Sequence, residues 1–376
     1  MGALRVFLIA GEPSGDRLGA ALMAGLKALA PGVEFHGIGG PLMQAEGLQS
    51  LFPMQELSVM GIAEVLPKYF HLKRRIREAA AAALAAQPAA LITIDSPDFC
   101  LRVAALVKAA RPDLRTIHYV APSVWAWRPG RAAKMARVID HVLALLPFEP
   151  PYMTAAGMTC DFVGHPVVAE PLAPPEAAAA MRAEGPGPLM LVLPGSRRGE
   201  VTRLAGVFGE TLAQVQAARP GLRVALPTLP AIAGLVGDVT AQWPLRPEII
   251  TDLGRKRTAF AAADVALAAS GTVSLELAAN DCPMVIAYDM HPLSMWLMRR
   301  MALMDTVTLV NLVAESRTVP DFLGADCRPD RIAPALLALL EDRHAQDQAM
   351  RLTMDRLGRG GEPPGLRAAR SVLSVI

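Results

Sequence analysis

The chain has 376 residues, more than the roughly 250–300 that one hydrophobic core usually serves, so two domains are expected. Its 37 basic and 35 acidic side chains leave a formal net charge of +2, which gives no reason to expect nucleic acid as a partner. Hydrophobic residues make up 52% of the chain, yet no run reaches the ~18–20 uninterrupted apolar residues of a bilayer-spanning helix. The composition therefore indicates a globular chain without an integral membrane segment.

The cysteines, histidines and aspartates form no metal-binding pattern. The four cysteines lie far apart without a C-x-x-C pair, the seven histidines include no H-E-x-x-H, and no two aspartates stand two residues apart. We expect reduced thiols, no metal and no organic cofactor.

The first half of the chain alternates apolar strands with amphipathic helical segments. The predicted strands are "RVFLIA", "ALITID", "RTIHYV" and "HVLALL", and helices are predicted at 17–29 and 97–110. This alternation is typical of a parallel sheet covered by helices on both faces.

The same pattern repeats after "PLAPPEAAAAMRAEGPGP" at 171–188, which predicts a linking helix and turn. The second array contains "LMLVLP", "LRVALPT", "PEIIT", "DVALAAS" and "PMVIAY". We predict α/β domains at 1–170 and 171–345, both doubly wound and facing a central cleft, and a final helix within 346–376 that packs back on the first domain. Ligands of such sheets bind beyond the carboxyl ends of the strands, so the loops there are the candidate site.

"LPGSRRGEV" at 193–201 follows a strand and precedes an amphipathic helix. Backbone N–H groups at a helix N-terminus attract anions, and the Arg197 guanidinium could add paired donors beside Gly195 and Ser196. Alternatively, Ser196 only caps the helix and the arginines are solvated.

"ASGTVSLELA" gives a second loop of this kind, with Ser270, Gly271 and Thr272 before a helix that contains Glu276. The Glu276 carboxylate could accept hydrogen bonds from two sugar hydroxyls, although a first-turn Glu often only stabilises its helix. Two anion-binding loops in one domain suggest a nucleoside diphosphate.

The loop "AGEPSGD" matches neither the Walker pattern nor a dinucleotide fingerprint. Its acidic residues would repel a pyrophosphate, so we expect Glu12, Ser14, Gly15 and Asp16 to face the hydroxyls of an acceptor.

Asp95 in "IDSPDF" is the strongest candidate catalytic residue. Ser96, Pro97 and Asp98 suit the cap and first turn of a helix, whereas Asp95 ends an apolar strand. Partial burial there would raise the carboxyl pKa and favour a general base. A purely structural Asp is the alternative.

"YVAPSVWAWRPGR" could form a wall for a sugar ring or a lipid with Trp125, Trp127, Arg128 and Arg131, although tryptophans commonly belong to a core. The segment 60–77 mixes apolar and basic side chains and could rest on an anionic bilayer. An ordinary exposed helix would show the same mixture.

Ten motifs follow one another in the order found in the lipid-A-disaccharide synthase family, which this chain therefore resembles over nearly its whole length. They include "AGEPSGD", "MGIAEVLP", "IDSPDF", "APSVWAWRPGR", "FVGHP", "LPGSRRGEV" and "ASGTVSLELA". Pro13 and Ser96 depart from the residues usual in the family.

The resemblance implies a GT-B glycosyltransferase with two Rossmann-like domains in a Gram-negative bacterium. It implies transfer of 2,3-diacylglucosamine from UDP-2,3-diacylglucosamine to 2,3-diacylglucosamine 1-phosphate, with Asp95 as the catalytic aspartate, Arg197 on the phosphate and Asn311 in the second domain. It also implies a homodimer that exchanges C-terminal domains and peripheral attachment to the cytoplasmic face of the inner membrane.

Two other interpretations stay open on the residues alone. One is a UDP-N-acetylglucosamine 2-epimerase, or a glycosyltransferase with a soluble acceptor, on the same fold. The other is a non-catalytic protein that binds a UDP-sugar or a lipid.

Overall fold

The computed structural model describes residues 3–57, 62–291, 295–296 and 300–376, and within 62–68 it describes the backbone alone. The chain divides into two compact units, Met1–Ala169 with Gly360–Ile376, and Glu170–Arg359. Each unit contains its own parallel sheet, as the alternation of strands and helices predicts.

Among its described residues the first unit has a seven-stranded sheet in the order β3-β2-β1-β4-β5-β6-β7, and the pairings are parallel. The strands are β1 Arg5–Ala10, β2 Glu34–Ile38, β3 Gln49–Ser50, β4 Ala90–Ile94, β5 Arg115–Tyr119, β6 His141–Ala144 and β7 Thr159–Phe162. The helices are α1 Pro13–Leu29, α2 Pro41–Ala45, α3 Ile62–Ala86, α4 Pro97–Ala110, α5 Gly130–Met135 and α6 Pro150–Ala155. Every residue of β4 is buried because helices cover both faces of the sheet.

The second unit has a six-stranded parallel sheet among its described residues, in the order β10-β9-β8-β11-β12-β13. The strands are β8 Leu189–Leu193, β9 Arg223–Pro227, β10 Glu248–Ile250, β11 Val265–Ala268, β12 Met284–Tyr288 and β13 Asp321–Leu323. The helices are α7 Pro175–Arg182, α8 Arg198–Ala218, α9 Ala233–Thr240, α10 Leu253–Ala262, α11 Val273–Ala279, α12 Leu309–Ala314, α13 Pro329–Glu341 and α14 His344–Arg356.

The last helix, α15 Pro364–Val375, packs on α1 within the first unit. The contact needs glycines, since a Cβ on Gly365 would lie 2.5 Å from the Ala21 carbonyl oxygen. The second domain was predicted to end at 345, but the second unit continues to Arg359. Most of residues 346–359 form α14, which packs on α11 and α12 of that unit. The turn at 357–363 separates the two helices.

Candidate functional site

A cavity of about 480 Å³ lies in the second unit, at the carboxyl ends of β8, β9 and β11. These three strands are neighbours in the sheet, so the loops that follow them meet at one edge. Seven residues singled out in the sequence line this cavity together: Gly195, Ser196, Arg197, Ser270, Gly271, Thr272 and Glu276. The two predicted anion loops are therefore brought together by the fold.

The first loop positions Arg197 at the start of α8. Gly195 has φ +108°, and a Cβ there would lie 2.4 Å from Glu200 Oε2, so both backbone and space require glycine. Arg197, and not Ser196, holds the N-cap position: the Arg197 backbone N–H donates to Glu200 Oε2 at 3.3 Å and its Nη1 donates to Oε1 at 3.0 Å. The Arg197 side chain remains 65% exposed and can offer its other guanidinium N–H groups to an anion.

The second loop turns at Gly271, whose φ is +153°, and Thr272 holds the N-cap position of α11. Glu276, in the first turn, accepts a hydrogen bond from Lys256 Nζ at 2.7 Å. Lys256 and Phe260 of α10 also line the cavity, although the sequence analysis did not single them out. The only signal was their i,i+4 spacing, which is shared by many surface helices.

Asn311 does not line this cavity. It is 1% exposed in α12, where Nδ2 donates to the Val319 carbonyl oxygen at 2.8 Å and Oδ1 accepts from the Val319 backbone N–H at 3.0 Å. The Asn311 amide therefore holds the 311–319 segment together, and a contact of Asn311 with a nucleotide stays a prediction.

In the first unit, Asp95 follows β4 and is partly buried. Oδ1 accepts from the Ser96 backbone N–H at 2.9 Å, Oδ2 accepts from Ser14 Oγ at 3.4 Å, and the Asp95 backbone N–H donates to the Tyr119 carbonyl oxygen at 3.0 Å. Asp95 has φ +53° and Ser96 φ +44°, conformations that cost side-chain-bearing residues free energy and that cluster at functional sites. The predicted base and the predicted Ser14 are thus in contact.

Two of the expected acceptor-side residues have structural roles instead. α1 begins at Pro13, four residues earlier than predicted, because proline is favoured in a first turn, so Gly15 and Asp16 lie inside a helix. Asp16 is 3% exposed, and its carboxylate accepts from the backbone N–H groups of Gly40, Leu42 and Met43 at 2.9–3.0 Å, which caps α2. Gly15 packs against the end of β4, and Glu12 holds the N-cap position of α1.

The tryptophans of the segment after β5 separate into two roles. Trp125 is a core residue, 8% exposed, and its Nε1 donates to Glu149 Oε1 at 3.2 Å. Trp127 is 36% exposed with the Arg128 guanidinium 4.4 Å from its ring, so this pair remains available to a ligand.

Glu149, within "LPFEP" at 146–150, was not singled out by the sequence analysis. It is 4% exposed, and its Oε2 accepts from the backbone N–H groups of Leu145 and Leu146 at 3.1 and 3.0 Å. Burial raises the pKa of the Glu149 carboxyl to about 7. Glu149 therefore ties the end of β6 to the segment that carries Trp125.

The apolar and basic segment 60–77 lies mostly in α3; residues 60 and 61, and the side chains of 62–68, lie outside the described part. Phe70 is 83% exposed and stacks edge-on against Tyr69 at 5.5 Å. The Arg75 guanidinium is 2.8 Å from the Glu56 carboxylate and is mostly buried, so it is not available to a membrane. Lys73, Arg74 and Arg77 are exposed. In the described part of the chain, no helix combines the length and apolar composition needed to cross a bilayer.

Two solved structures illustrate the similarity of fold. A putative UDP-N-acetylglucosamine 2-epimerase from Listeria monocytogenes has a TM-score of 0.64 at 14% identity, over 99% of this chain and 95% of that one. MurG of Acinetobacter baumannii has a TM-score of 0.55 at 12% identity, over 100% and 99%. At these identities the likeness establishes the fold alone, which is the GT-B architecture of two Rossmann-like units.

Sequence relatives are much closer. The lipid-A-disaccharide synthase of Ruegeria pomeroyi is 63% identical, with 99% of this chain and 96% of that protein covered, and that of Rhodospirillum centenum is 47% identical over 100% and 96%. The sequence model of the family described as Lipid-A-disaccharide synthetase matches residues 6–362. The chain therefore belongs to the lipid-A-disaccharide synthase family, GT-B glycosyltransferases of lipid A biosynthesis.

Proposed function

We propose that this protein transfers 2,3-diacylglucosamine from UDP-2,3-diacylglucosamine to the 6-hydroxyl of 2,3-diacylglucosamine 1-phosphate. The products are the β-1',6-linked disaccharide 1-phosphate and UDP. The observation that carries the proposal is the cavity that both glycine-containing loops, Arg197 and Glu276 line in a chain of this family.

The UDP part of the donor binds in this cavity. Its diphosphate accepts hydrogen bonds from backbone N–H groups of the 195–197 and 270–272 loops and from Arg197, and Glu276 accepts from the ribose hydroxyls. When the bond from the anomeric carbon to the diphosphate breaks, negative charge builds on the leaving UDP. Loss of one preorganised donor to such charge typically raises the barrier by about 3–4 kcal/mol.

Asp95 acts as the general base. It takes the proton of the acceptor 6-hydroxyl while that oxygen attacks the anomeric carbon on the face opposite UDP, so the configuration inverts. Hydrogen bonds from Ser14 and from the Ser96 backbone orient the carboxylate. Trp127 and Arg128, with Glu12, remain candidates for contacts to the acceptor.

The exposed side chains within 69–77 of α3 support a peripheral membrane contact, which would bring the enzyme to its acylated substrates. Aromatic Tyr69 and Phe70 suit the headgroup boundary, and the neighbouring cations suit anionic phosphates. Phe70→Ser should weaken cosedimentation with anionic vesicles, whereas Leu106→Ser, 43% exposed on α4, should not. Equal binding by both variants would contradict a membrane contact through α3.

We also propose that the protein is a homodimer, which sedimentation velocity tests.

The reaction is tested with purified protein, both acylated substrates and a chelator, followed by mass spectrometry of the disaccharide and UDP. A parallel reaction contains UDP-N-acetylglucosamine alone. Disaccharide formation with chelator present is the expected result. Folded protein that makes no disaccharide, or that epimerises the unacylated sugar nucleotide, would overturn the assignment.

A further inference from the structure

Lys256 lines the cavity, but it belongs to none of the sequence motifs and has no role in the proposed reaction. It lies on α10, before β11, whereas its partner Glu276 lies on α11, after that strand. Nζ is 2.7 Å from Glu276 Oε2 and 5.1 Å from the centre of the Phe260 ring. Phe260 is 2% exposed, so the Lys256 ammonium group lies against an aromatic ring that is itself fixed in the core.

The pair contributes little to stability by its charge alone. The Lys256 and Glu276 side chains are 36% and 32% exposed, and ion pairs in contact with water are weak because solvent screens them and two long side chains must be ordered. The pair instead fixes where the Glu276 carboxylate lies, at the wall of a cavity. A lone glutamate on a helix surface would sample several rotamers.

A carboxylate has about four lone-pair sites, so a lysine on one of them leaves room for two further donors. Two vicinal hydroxyl groups of a ribose are donors of this kind, and their recognition by a fixed carboxylate is a general device in nucleotide sites. A second cation–carboxylate pair, Arg197 with Glu200, lines the same cavity. Each acidic side chain at this cavity is therefore held by a basic one.

We infer that Lys256 is a positioning residue for nucleotide binding: it holds the Glu276 carboxylate in the orientation that accepts both ribose hydroxyls. The inference rests on the proposed binding of UDP in this cavity. Lys256 acts through Glu276 and makes no contact with the diphosphate. Without it, Glu276 must be ordered by the ligand itself, and UDP affinity falls by roughly 5- to 20-fold, the size expected for fixing one long side chain.

The test measures the affinities of UDP and 2'-deoxy-UDP by calorimetry for the wild type and for Lys256→Met. The variant should lose roughly 5- to 20-fold in affinity for UDP and clearly less for 2'-deoxy-UDP, which has only one of the two hydroxyls. Lys256→Arg should restore most of the UDP affinity. Arg257→Met removes the same charge from the adjacent position, which does not line the cavity, and should change neither affinity.

Equal losses for the two ligands would mean that Lys256 acts on the diphosphate directly, and unchanged UDP affinity would mean that Glu276 needs no support. Either result overturns the inference while the proposed function stands, provided that Arg197→Ala still weakens UDP binding. If the wild type itself does not bind UDP, or binds it regardless of Arg197→Ala, the proposed function fails.

Discussion

The loops after β8 and β11 differ from those after β4 and β5 in which residues adopt left-handed backbone conformations. Two residues after β8 and three residues after β11 they are glycines, Gly195 and Gly271. Directly after β4 and β5 they are Asp95, Ser96 and Val120, with φ of +53°, +44° and +87°. Glycine adopts this region without strain, whereas a β-branched residue such as valine almost never does.

The difference separates two ways of building a site. The glycine loops of the second unit place backbone along the wall of the cavity, as the proposed diphosphate site requires. In the first unit, residues with side chains adopt these conformations instead, at a cost of about 1–3 kcal/mol per residue. Asp95 and Val120 are neighbours there, since Ile94 pairs with Tyr119 across β4 and β5.

The largest effect on activity is expected at Asp95 of the first unit. Asp95→Asn keeps the size and can keep the hydrogen bond from Ser14, but it cannot accept a proton. Turnover should fall by about 10²–10⁴-fold while UDP affinity is retained, because general-base help is of this size. Single-turnover kinetics and calorimetry measure the two quantities.

Asp98→Asn is the matched control, three residues along in the exposed first turn of α4. It should leave turnover close to the wild-type value. If Asp95→Asn retained full turnover, the strained edge of the first sheet would have no catalytic role.

A second effect concerns Glu149, which holds the segment after β5. Burial raises its carboxyl pKa from 4.5 to about 7, so between these pH values the unfolded chain ionises while the folded protein keeps the proton. Its contribution to stability is therefore complete below pH 4.5 and is lost as pH rises through 7. Relative to Glu149→Gln, the wild type should lose up to about 3 kcal/mol of unfolding free energy across this window.

Urea unfolding at pH 5 and pH 8 measures this change. Glu34→Gln, at an exposed position of the same unit, should follow the wild type at both pH values. A difference between wild type and Glu149→Gln that does not change with pH would show that Glu149 is already ionised in the folded protein.

In the second unit, Gly195→Ala should disturb the glycine loop. The added Cβ would meet Glu200 Oε2 at 2.4 Å, and the left-handed backbone adds strain, together about 1–3 kcal/mol. UDP affinity should fall by about tenfold, as the loop moves away from the diphosphate. Gly199→Ala, where a Cβ meets no atom within 4 Å, should bind UDP as the wild type does. Equal affinities for both variants would contradict a backbone-built site.

The smallest effect is expected at Val120. Val120→Gly relieves strain of about 1–3 kcal/mol but loses a half-buried side chain and adds unfolded-state entropy, so stability should change by less than about 1 kcal/mol. Val142→Gly, fully buried in β6, should cost about 2–5 kcal/mol. Thermal and urea unfolding compare the two. A loss at Val120 as large as at Val142 would mean that its backbone is not strained.

Much of this organisation is readable in the sequence because it is local. Apolar runs alternating with amphipathic segments predict two parallel sheets, and the residues after each run identify the loops at the carboxyl edges. The two glycine loops that line the cavity, and the position of Asp95 directly after β4, were predicted in this way. Several of the residues that were misjudged or missed are polar groups whose roles depend on partners in other segments: Asp16 caps α2, Asn311 bonds to Val319 beyond the end of α12, and Lys256 pairs with Glu276 of α11.

The sequence by itself determined the order of strands and helices, the glycines that permit left-handed turns and the family to which the chain belongs. Only the tertiary structure decided which polar side chains bond to partners inside each unit and which line a cavity. The physical reason is that a hydrogen bond or an ion pair depends on distances between segments that are remote in sequence. Hydrophobic periodicity and turn chemistry, by contrast, are properties of neighbouring residues.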